Sequence, residues 1–86
     1  MPEISLFYGI RITMNFDEHN PPHFHAQYAG DECTVNILEA TVLKGFLPRK
    51  QIRLVIAWAE LHKDEPMQNW ELARSGQPLN RINPLF

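Results

Sequence analysis

Apolar and polar positions alternate through the first half of the chain. Ile10, Ile12, Met14 and Phe16 are separated by Arg11, Thr13 and Asn15, a period of two. That period belongs to a β-strand with one covered face. Gly9 precedes the run and predicts a turn after a first short strand over residues 3–8. Phe24, Ala26 and Tyr28 then alternate with His23, His25 and Gln27. Cys33, Val35 and Ile37 alternate with Glu32, Thr34 and Asn36, and Gly30 with Asp31 marks the tight connection between the two runs. Residues 17–22 are polar and proline-bearing and read as a loop, and a weaker strand is expected over 41–43. Stacked antiparallel, these strands gather one face of Ile10, Ile12, Met14, Phe16, Phe24, Ala26, Tyr28, Val35 and Ile37, which has to be covered. The opposite face, with Arg11, Thr13, Asn15, His23, His25, Gln27, Glu32, Thr34 and Asn36, is expected to meet water or a ligand.

After Pro48, a residue suited to a first helical turn, the period changes. Ile52, Val55, Ile56 and Ala59 follow helical spacing, while Leu54, Trp58 and Leu61 add a second apolar side. A helix so widely apolar packs on more than one side. Pro66 interrupts the pattern, which leaves one kinked helix or two helices, the second capped by Asp64 and ending at Gly76. It would bury Met67, Trp70, Leu72 and Ala73. The tail holds Pro78 and Pro84 and should be extended, with Leu79, Ile82, Leu85 and Phe86 to dock it. The expected fold class is α+β: an N-terminal antiparallel β-meander of three to five strands packed against a C-terminal helical segment, in a single domain over residues 1–86.

Composition sharpens this picture in three places. A chain of 86 residues buries a modest fraction of its surface, so added burial from a homo-oligomer or a second small protein is expected. The net charge is −2, yet residues 1–43 carry one base against six acids and residues 44–86 carry seven bases against four. Such polarity can steer a partner, and the overall balance excludes a strongly basic nucleic-acid module. Cys33 is the only cysteine, so an intramolecular disulfide and a thiolate zinc site are excluded. No leader pattern and no long apolar run occur, so a cytoplasmic location without membrane insertion is expected.

The densest polar feature is the stretch from Asp17 through Glu18, His19, Asn20, Pro21, Pro22 and His23 to His25. His23 and His25 stand two apart on a strand, so both rings leave the same face. With His19 they suit zinc, nickel or iron(II), Asp17 or Glu18 being alternatives as the third ligand. The same pair suits proton transfer, because imidazole titrates near neutral pH. Arg11 on the same face would then hold a phosphate or offset developing negative charge, a constellation fit for metal-independent RNA cleavage. The third reading is a proline-stiffened turn whose histidines bond to nearby backbone. A second feature is the basic run Lys44, Arg49, Lys50 and Arg53, with no acid between Thr41 and Ala59. Three cations at a helix start oppose the helix dipole, and a local inconsistency of this kind can mark a binding surface. Glycine-rich phosphate loops and nucleophile elbows are absent from the sequence.

The opening Met1 to Ser5 with Phe7, Tyr8, Gly9 and Ile10, the segment from Asp17 to Ala26, and the later Trp58 to His62 and Asn69 to Arg74 resemble the prokaryotic family called domain of unknown function 4160. The resemblance spans nearly the whole chain, and the segment Asp17, His19, Asn20, Pro21, Pro22, His23 and His25 is its most specific part. Pro66 departs from the pattern. The family name carries no activity. The resemblance implies a small cytosolic protein, often encoded beside a member of the domain of unknown function 2442 family. That two-gene arrangement is similar to a toxin–antitoxin module. The sequence therefore supports an interaction protein acting on RNA, a metal-binding protein or a plain scaffold domain.

Overall fold

The computed structural model of the chain describes residues 2–16 and 19–85. Five strands come first: β1 (Glu3–Phe7), β2 (Ile10–Thr13), β3 (His23–Tyr28), β4 (Asp31–Asn36) and β5 (Thr41–Gly45). Two helices follow, α1 (Arg49–Leu61) and α2 (Asp64–Arg74). The strands form one antiparallel sheet in the order β1-β2-β3-β4-β5, a meander, and the fold is α+β.

Hairpin chemistry sets the register. Tyr8 and Gly9 close the first hairpin with φ of 51° and 76°, and Ala29 and Gly30 close another with φ of 50° and 89°. Two positive φ values in a two-residue loop match the right-handed twist of the flanking strands, and glycine takes the second position without steric cost. The resulting pairs put Ile12, Ala26 and Cys33 side by side on one face. On the other face Thr13, His25, Thr34 and Lys44 form a row across four strands.

The apolar face is covered as its pattern demands. Ile10, Ile12, Met14, Phe24, Ala26 and Val35 are fully buried. Trp58 of α1 stacks on Phe7 at 5.7 Å and meets Phe24 edge-on at 5.4 Å. α1 buries Val55, Trp58 and Ala59, whereas Leu61, expected on its second apolar side, is 70% exposed. Pro66 lies in the first turn of α2, and the two helices are separate. Asp64 begins α2 instead of capping it, because Lys63 holds the cap position. α2 ends on Gly76 as expected. The Gln77 amide donates to Leu72 and the Gly76 amide to Ala73, a Schellman closure that needs the φ of 70° at Gly76.

Other boundaries differ from the sequence reading. β2 stops at Thr13, and Phe16, assigned to the covered face, sits in a turn 40% exposed. β5 runs to Gly45, two residues further than the pattern indicated. The polar face is also less open than expected: Thr13, His23, His25, Thr34 and Asn36 are all buried.

The tail from residue 77 to 85 is extended and docked. Asn69 donates from Nδ2 to the Asn80 carbonyl at 2.8 Å and accepts the Asn80 amide at 2.9 Å. The Ile82 amide donates to the Ile4 carbonyl at 2.7 Å, and the Ser5 hydroxyl donates to the Ile82 carbonyl at 3.0 Å. Trp58 donates from its indole to the Asn83 carbonyl at 2.9 Å. Glu3 bridges Arg81 at 2.6 Å and Arg11 at 3.2 Å, and the Arg81 hydrogen bond holds its carboxyl below the usual carboxylate range. That contribution is present above the ordinary glutamate range and is lost as pH falls through the depressed value. Asn69→Ala removes both Asn80 bonds and is expected to cost about 1–3 kcal/mol, read as a lower urea midpoint at unchanged slope. The same variant should speed hydrogen exchange at the Ile82 amide, and unchanged exchange there would show that the tail is held without Asn69.

Candidate functional site

The histidine-rich segment joins β2 to β3, and its last two histidines lie on β3 itself. Asp17 and Glu18 lie outside the described residues. Asn20 and Pro21 are joined by a cis peptide bond. The Pro22 carbonyl accepts the Ile37 amide at 3.0 Å, which ties this connection to the end of β4. Alternation then sends Phe24 into the core and His23 and His25 to the opposite face.

On that face His19, Asn20, Pro21, His23, His25, Thr34, Leu43 and Lys44 line one cleft of about 250 Å³. All three histidines singled out from sequence therefore share a wall. The rings of His23 and His25 meet edge to face, with centroids 5.2 Å apart. His23 donates from Nδ1 to the Pro21 carbonyl at 2.8 Å, which makes Nε2 the lone-pair nitrogen of the neutral ring. Its ring also lies 5.1 Å from that of Trp70, whose buried indole N–H has no hydrogen-bond acceptor among the described residues. Nδ1 of His25 is 3.4 Å from the Thr34 hydroxyl and 3.7 Å from the Glu32 carboxylate. Glu32 is in turn fixed by the Gln27 amide at 2.9 Å. Each ring thus has one nitrogen oriented by an oxygen, and at His23 the carbonyl acceptor also requires the proton on Nδ1.

Lys44 enters the site through the sheet. It stands opposite Thr34 on β5, and Thr34 stands opposite His25. Neighbouring strands are about 4.8 Å apart, so Lys44 and His25 stand roughly 10 Å apart in the backbone with Thr34 between them. Asn36 shapes the same region by accepting the Glu39 amide at 3.0 Å, which closes the turn into β5.

The other candidates lie elsewhere. Arg11 shares the face of His25 but pairs with Gln27, one step further along β3, and its guanidinium binds Glu3. It lines a separate cleft of about 300 Å³ with Gly9, Tyr28 and Asp31, beside the hairpin turns. Arg49, Lys50 and Arg53 are exposed on the opening turns of α1, whereas Lys44 is in the histidine cleft, so the basic run divides between two elements. None of these four cations has an ion-pair partner among the described residues. Among the described residues no three His, Cys, Asp or Glu side chains converge as a metal-ligand group, so His19, His23 and His25 share a cleft without sharing a coordination point. His62 ends α1 and bonds Glu65 at 2.9 Å.

Sequence reasoning missed Thr34, Leu43 and Glu32 as neighbours of the histidines. The alternation assigned Thr34 and Glu32 to the right face, but only the β3–β4 register brings them beside His25. Cys33 is 1% exposed, and burial together with the nearby Glu32 charge pushes its thiol up to about 11. At pH 8 only about one thiol in a thousand is then the reactive thiolate. Iodoacetamide should leave Cys33 unmodified in the folded protein and alkylate it after denaturation; rapid labelling of the folded chain would contradict this burial.

Residues 9–71 match the family described as domain of unknown function 4160 (DUF4160). No curated protein and no solved structure matches the chain. No helix among the described residues is long and apolar enough to cross a membrane. The chain belongs to the domain of unknown function 4160 family.

Proposed function

We propose that this member of the family is an RNA-cleaving protein that works through the histidine cleft and needs no metal. The observation that carries the reading is the meeting of two oriented imidazoles and one lysine in the same cleft. Cleavage of RNA at a ribose 2′-hydroxyl asks for a base, an acid and a cation beside the phosphate. His23, oriented by its Nδ1 bond to the Pro21 carbonyl, takes the 2′-hydroxyl proton. The 2′-oxygen then forms its bond to phosphorus as the bond to the 5′-oxygen breaks. Protonated His25, oriented by Thr34 and Glu32, gives its proton to the departing 5′-oxygen. A 2′,3′-cyclic phosphate and a 5′-hydroxyl end result, and the two histidines have exchanged protonation states. Lys44 sits across Thr34 from His25 and is the cation for the non-bridging oxygens. It takes the role that sequence reasoning gave to Arg11. His19 and Asn20 at the exposed lip would contact the neighbouring nucleotide. As one half of a cytoplasmic toxin–antitoxin-like pair, this chain would be the half that acts on RNA.

The purified chain should cleave single-stranded RNA in excess chelator and leave cyclic phosphate ends. His23→Ala and His25→Ala should each slow cleavage about 10²–10⁴-fold, and a bell-shaped pH profile should accompany the wild-type rate. Lys44→Ala should lower the rate with partial recovery in Lys44→Arg. Cleavage that survives both histidine substitutions, or that disappears with chelator, sinks the reading.

A further inference from the structure

The two edges of the sheet are finished differently. β1 is covered by the tail through the Ile82 bonds to Ile4 and Ser5. Beyond β5 no strand lies among the described residues, and every residue from Thr41 to Phe46 is exposed. Three of them are large and apolar: Val42 is 40% exposed, Leu43 45% and Phe46 63%. An uncovered apolar edge is a template for one more strand. β5 is also held firmly enough to serve as one. Gly45 has a φ of 85°, and a side chain there would press on the Glu32 carbonyl and approach Cys33 Cα to 2.8 Å. The Phe46 amide donates to the Glu32 carbonyl at 2.9 Å.

Charge selects the occupant. Lys44 is the one charged residue of β5, and no acid lies on that strand. A second copy paired through β5 would bring both Lys44 side chains onto one face about the two-fold axis, which like charge opposes. An extended segment with carboxylates between apolar side chains meets both features. We infer that β5 binds an acidic, apolar strand of another protein as a sixth strand of the sheet, and that this strand closes the histidine cleft. Leu43 and Lys44 belong both to the edge and to the cleft wall. A carboxylate on the added strand therefore takes Lys44 away from a phosphate. The edge surface stands on its own; its role as a shut-off rests on the RNA-cleaving reading.

The test uses a fluorescein-labelled peptide in which glutamate alternates with valine and threonine, and a counterpart with lysine for glutamate. Fluorescence polarisation should show the acidic peptide binding about tenfold or more tightly than the basic one. Val42→Glu and Phe46→Glu, both outside the cleft lining, should lose binding while RNA cleavage stays unchanged. His23→Ala should lose cleavage and keep binding. Bound acidic peptide should inhibit cleavage by wild type. Equal affinity for the two peptides, no binding of either, or a stable dimer that Val42→Glu and Phe46→Glu dissolve overturns the inference. Peptide selectivity without any RNA cleavage leaves the edge surface standing and removes the cleavage reading alone.

Discussion

Trp58 is the constraint on which the arrangement turns. One indole stacks on Phe7, meets Phe24 edge-on, lies 5.6 Å from His62 and holds the tail through Asn83. It therefore fixes α1 to two strands and fixes the tail to α1. An aromatic of this size removes a large apolar area from water, and its N–H needs an acceptor once buried. The Asn83 carbonyl meets that need. Together with Asn69 and Ile82, this bond binds the last residues to both helices and to β1. A small sheet with one helical cover is thereby closed by its own C-terminal segment.

The cleft inherits its order from that closure. Phe24 is anchored beneath Trp58, and the residues on either side of it, His23 and His25, are forced to the other face. The Pro21 carbonyl and the Thr34 hydroxyl then orient the two rings. A buried polar row runs from Thr13 through His25 to Thr34, and within it the His25 ring and the Thr34 hydroxyl meet each other. Such a row would be a poor choice for a surface that only met water.

Much of this was legible in the sequence, and the reasons are particular. Strict alternation at Ile10 to Met14 and at Phe24 to Tyr28 specified the strands, since a register slip of one residue would turn Arg11, His23 and His25 toward the core and expose Phe24 and Ala26. Gly76 announced the end of α2, whereas Pro66 left one kinked helix or two helices open. What alternation could not carry was distance across strands. The pattern gave the cation's role to Arg11 and left Lys44 in the basic run, but the register places Lys44 in the cleft and turns Arg11 to Glu3. Phe16 was misassigned because the strand ends before it, where the chain leaves β2 for the loop. The exposure of β5 was hidden for a related reason: the pattern gave only a weak strand over 41–43, and the strand order alone shows that its outer side is an edge.

The tail on β1 sets how this sheet can grow. Strand addition at both edges would let copies or partners link into an open-ended array, the geometry of fibrils. Here the chain occupies one edge with its own Ile82, and growth is left a single direction. Copies of this chain alone could therefore pair edge to edge only through β5, which would cap such an assembly at two.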